Sequence, residues 1–135
     1  MSAVPPVMFP GAPARPVFGQ AAAGALSLKW AALQNAAEVV ASLAGLEPER
    51  TTPEVRNFPA LMREAEPWRR ELAHRGTDDM AAVMEPGIAA LLAVNARGAS
   101  PRPAALALWR EFVEARAALL ALLPPAGALG PRRSA

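Results

Sequence analysis

Proline decides where this chain can be helical. Its ring removes a backbone donor and clashes with the carbonyl four residues back, so a helix accepts it in the first turn and elsewhere only with a bend. Fifteen prolines are spread through the 135 residues. Pro5, Pro6, Pro10, Pro13 and Pro16 make residues 1–19 an extended, flexible arm rather than a helix. Pro124-Pro125 stops the last periodic stretch, and residues 124–135 read as a short disordered tail made basic by Arg132 and Arg133.

Between these limits, over residues 20–123, apolar residues recur at steps of three and four. Leu26, Trp30, Leu33, Ala37, Val40 and Ala44 form one stripe, with Gly45 placed to end the helix. Lys29 and Glu38 are the only charges over residues 20–44, so this helix is expected to be contacted on more than one side, in a bundle or across an oligomer interface. Thr52, Pro53 and Glu54 supply a cap, a first-position proline and a first-turn acid. Phe58, Leu61, Ala65, Trp68 and Leu72 then share a face over residues 52–75, and Pro67 predicts a bend within it. Gly76 reads as the end of that helix and Thr77 as the cap of a third. There Met80, Met84, Gly87, Leu91 and Val94 keep the rhythm, and Pro86 predicts a second kink. Ser100-Pro101 opens a fourth helix with Leu106, Trp109, Val113, Leu120 and Leu123 inward. The expected fold is an all-α single domain, a four-helix bundle with kinked central helices between two disordered ends.

Charge and cysteine usage limit the functions open to such a bundle. The net charge is +2, and the pI near 10.4 reflects thirteen arginines against one lysine rather than a basic patch. Over residues 47–75 six acids face six arginines, so nucleic-acid binding is not expected. Glu66 and Arg70, like Glu71 and Arg75, stand four apart in the favourable order, which reads as a self-paired, solvated face. Without cysteine there is no disulfide, thiolate nucleophile or sulfur-ligated metal, a composition suited to a reducing cytoplasm. The N-terminus lacks the positive region of a secretory signal, and no eighteen-residue stretch is free of both charge and proline, so no membrane association is expected.

Candidate chemistry is sparse. Glu71 and His74 have the spacing of a carboxylate–imidazole metal pair, but one histidine cannot complete a di-iron ligand set within a single chain. A cation next to the expected helix end at Gly76 is favourable without any function. There is no nucleophile elbow and no phosphate-cradling glycine loop. No enzyme activity is expected, and no catalytic residue, cofactor or metal is assigned.

Two readings of function remain. The leading one is a non-catalytic helical interaction or adaptor protein that forms a homo-oligomer or docks a protein partner. Its anchors are Leu26, Leu33 and Val40 of the charge-poor first helix and Phe9 and Phe18 of the arm. The alternative is a small-molecule-binding bundle holding an apolar ligand among Trp30, Trp68, Met80, Met84 and Trp109. Pro67 and Pro86 are expected at comparable heights on two helices joined at Gly76, where matched bends either wrap the pair round the first helix or open a pocket beside Trp68.

Overall fold

Each helix boundary traces to a residue that starts or stops backbone hydrogen bonding. The computed structural model describes residues 18–125, in which α1 is Phe18–Leu43, α2 Pro53–Met62, α3 Pro67–Ala96 and α4 Arg102–Leu120, with no strand among the described residues. The all-α, four-helix bundle expected from the periodicity is therefore the fold. The arm with Phe9, the side chain of Phe18 and the tail from residue 126 lie outside the described residues.

Glycine closes α1 and α3 in the same way. At Gly45, with φ 77°, the amide of Leu46 donates to Ala41 and that of Gly45 to Ser42, so the last carbonyls of α1 are satisfied by a left-handed turn. Gly98, with φ 84°, repeats the pattern, Ala99 donating to Val94 and Gly98 to Asn95. Thr52 begins α2 as expected: its Oγ1 accepts from the Val55 amide at 3.3 Å, with Pro53 in the first turn. Pro59 lies inside this short helix.

The division between the second and third helices differs from the expectation. The chain leaves helical conformation at residues 63–66, and Pro67 is the first residue of α3 rather than an interior kink. Gly76 and Thr77 lie inside α3. The Thr77 hydroxyl, fully buried, donates at 2.7 Å to the carbonyl of Ala73 one turn back, so the residue read as a cap supports the helix from within. Gly76 is small for a different reason: a Cβ there would come 2.5 Å from Leu119 Cδ2 on α4. Pro67 and Pro86 accordingly share one helix, about 28 Å apart along its axis, and no pair of matched bends exists. Pro86 leaves the carbonyl of Ala82 without its helical donor, on an exposed face where solvent can serve it.

Cross-helix contacts fix the directions. Gly76 meets Leu119 and Gly87 meets Leu108, so α4 runs antiparallel to α3. Gly45 lies beside Arg102 while Gln34 meets Arg116, so α4 is antiparallel to α1 as well. Lys29 on α1 pairs with Asp78 on α3 at 3.0 Å, and these two helices run parallel, with α2 in the connection between them. The charge-poor α1 touches all three other helices, as each helix of the bundle does, and still leaves Leu28 and Val39 exposed. Its stripe of Leu26, Trp30, Leu33, Ala37, Val40 and Ala44 packs with Val55, Phe58, Met62, Ala73, Met84, Leu91, Ala105, Phe112 and Leu119 into one core.

Helix α3 is long and apolar enough to cross a membrane by length and composition, a property hidden from the stricter sequence criterion by Glu85 and Pro86. Its Ala73, Thr77, Met80, Met84 and Leu91 are buried in the bundle.

Candidate functional site

The five residues expected to surround an apolar ligand fall in separate places. Trp30 is buried and stacked on Phe58, with ring centroids 4.3 Å apart, and its Nε1–H donates to the Val55 carbonyl at 2.7 Å. Trp109, half-buried, has its ring 5.6 Å from that of Phe112 and lines a cavity of about 430 Å³ with Gln34, Glu38, Leu46 and Glu49. Trp68 points outward, 52% exposed, because α3 begins only one residue before it and its position no longer continues the stripe of α2. The guanidinium of Arg69 lies 4.8 Å from its ring centroid. Met80 and Met84 stay together, but with Leu108 and Phe112 of α4 rather than with an indole.

The residues expected to meet a partner are also placed differently. Leu26, Leu33 and Val40 are core residues, so they offer no docking surface on the folded chain. The stripe faces inward, and what lies inward is already occupied. The exposed apolar surface belongs to other positions, among them Leu28 and Val39 on α1 and Val83 and Leu92 in the C-terminal half of α3. Over residues 80–96 the only charged side chain is Glu85. Ala82, Pro86, Ala89, Leu92, Ala93 and Ala96 are all exposed, Leu92 at 49%. Only 17% of the most apolar window of α3 is buried.

One polar cluster had no counterpart in the sequence reading. Arg116, 5% exposed, donates from Nη1 to Gln34 Oε1 at 2.9 Å and to Glu49 Oε1 at 3.1 Å, pairs through Nη2 with Glu49 Oε2, and lies 4.8 Å from the Phe112 ring centroid. Since arginine can only donate, the Gln34 amide is oriented with its oxygen toward Arg116, and its buried Nε2 has no hydrogen-bond partner among the described residues. The cluster ties α1, the connection after it and α4 into one unit. An arginine on the same face of α4 as Ala105, Phe112 and Leu119 was the available signal, since such a position demands a buried acceptor.

His74 has its pKa lowered, first by partial burial, then by the nearby Lys29 ammonium, with Asp78 opposing both. Among the described residues no group of three acids or histidines is placed to hold a metal ion. Comparison of the chain with protein families, with curated proteins and with solved structures finds no match.

Proposed function

We propose that the chain is a non-catalytic interaction module that self-associates through the outward face of α3. The observation that carries this is the exposed run from Ala82 to Ala96, a solvent-facing helix surface interrupted by one charge. Contiguous apolar surface of this kind is unfavourable in water by about 25 cal/mol per Å² and is relieved by a partner. A second copy suits it because alanine at positions 82, 89, 93 and 96 lets two helices approach closely, while Leu92 supplies the larger buried group. Neither Trp68 nor the α1 stripe is needed. A cytoplasmic location, suited to a chain without cysteine, goes with this reading.

Light scattering against concentration tests it. The chain is expected to shift from monomer to dimer in the micromolar range, and Leu92→Glu to hold it monomeric with unchanged circular dichroism. A chain that stays monomeric at high micromolar concentration but co-sediments with lipid vesicles, a property lost in Leu92→Glu, would assign the face to a bilayer instead.

A further inference from the structure

Between α3 and α4 lies a recess of about 180 Å³, open to solvent on one side, whose wall is almost wholly apolar. Met80, Met84, Leu108, Phe112 and Ala115 form it, with half-exposed Val83 beside them. An apolar cavity of about 150 Å³ is enough to admit a benzene ring. Methionine, with a flexible and polarisable side chain, adapts its shape to such a guest.

The polar groups of this cavity all carry one sign. Asp79 from α3 and Glu111 from α4 line it, both on exposed positions, and no lysine or arginine does. Among the described residues neither carboxylate has an ion-pair partner: Lys29 is taken by the neighbouring Asp78, Arg69 by Glu66, Arg75 by Glu71 and Arg116 by Glu49. Two helices thus bring unpaired carboxylates to an apolar recess sized for one ring.

We propose that this recess binds a small amphipathic organic cation, an aromatic or compact alkyl group in the cavity carrying an ammonium group toward Asp79 and Glu111. The apolar part supplies affinity by leaving water, and the two carboxylates select for positive charge. This site is separate from the face assigned to self-association and does not depend on it.

Methionine methyl NMR of the full chain, labelled at the Met methyl carbon, tests the proposal with 2-phenylethylamine, toluene and 3-phenylpropionate as probes. The methyls of Met80 and Met84 should shift saturably with 2-phenylethylamine, while that of Met62, buried on α2, stays fixed and reports that the fold is intact. Affinity should fall in the order amine, toluene, carboxylate. The double substitution Asp79→Asn with Glu111→Gln should weaken the amine about tenfold and leave toluene unchanged. Raising the salt concentration should weaken the amine alone. Absence of a saturable shift with the amine, equal binding of 3-phenylpropionate, or an amine affinity indifferent to the double substitution would overturn it.

Discussion

The indole Nε1–H of Trp30 donates to the carbonyl oxygen of Val55 at 2.7 Å, in the position that Pro59 leaves empty. In a regular helix that carbonyl would accept from the amide four residues on, and proline has none. A tertiary hydrogen bond therefore replaces a secondary-structure one, and the stacking of Trp30 on Phe58 holds the donor in place. Trp30→Phe should cost about 1–3 kcal/mol, since it strands a buried acceptor. Adding Pro59→Ala should recover about 1 kcal/mol by restoring the local donor. Urea denaturation of the four-protein cycle checks this, and strict additivity would contradict it.

Arg116 and Glu49 predict an asymmetry. Glu49→Ala leaves a buried guanidinium with only Gln34, and should cost about 3 kcal/mol. Replacing both, as Arg116→Met with Glu49→Leu, should cost less than the single change because no charge is left unpaired. Thermal unfolding of both variants measures the difference.

Gly76 and Gly87 both face α4, but with different room. A Cβ at Gly76 would meet Leu119 Cδ2 at 2.5 Å and Cγ at 3.3 Å, and Leu119 is buried; at Gly87 it would meet Leu108 Cδ2 at 2.8 Å, and Leu108 is only partly buried. Gly87→Ala should be close to neutral, because a helix-propensity gain of about 1 kcal/mol offsets a side-chain shift. Gly76→Ala should destabilise by about 1–3 kcal/mol through overpacking. Denaturant midpoints rank the two.

What was legible in the chain was what local chemistry decides. Thr52-Pro53 starts a helix and Gly45 and Gly98 end helices for reasons contained within a few residues, and the α1 stripe faces the core because its period leaves no other face apolar. Gly76-Thr77 looked like the same kind of boundary. Leu119 filling the glycine's missing side chain and Ala73 accepting from the threonine make it helix interior, and both depend on packing. The break at residues 63–66 was hidden because Ala65, in the connection, is itself buried and keeps the apolar rhythm going. Trp68, the next residue of that rhythm by spacing, instead opens α3 on an exposed face. Glu49, the partner of Arg116, is 67 residues away in the chain, beyond the reach of any periodicity.

His74 predicts a pH response of known sign. Its folded pKa lies below the ordinary value of 6.5, so the unfolded chain binds the proton more readily. The stability this group contributes is complete above pH 6.5 and is lost as pH falls from there through the folded pKa. The stability difference between the native chain and His74→Gln should therefore shrink over that window and stay constant above it. A difference that grows on acidification would contradict the burial and the Lys29 proximity that lower this pKa.

That two copies meet across α3 is tested most directly by inter-copy distances. The chain has no cysteine, so Ala90→Cys and Ala118→Cys each provide a single spin-label site, the first exposed on the flank of the proposed α3 face and outside its alanine seam, the second exposed on α4. Pulsed dipolar spectroscopy should give the shorter inter-copy distance for Ala90→Cys and one longer by at least a helix diameter, about 10 Å, for Ala118→Cys. Adding Leu92→Glu should abolish the coupling. No inter-copy coupling at Ala90→Cys, or a shorter distance at Ala118→Cys, would contradict self-association through α3.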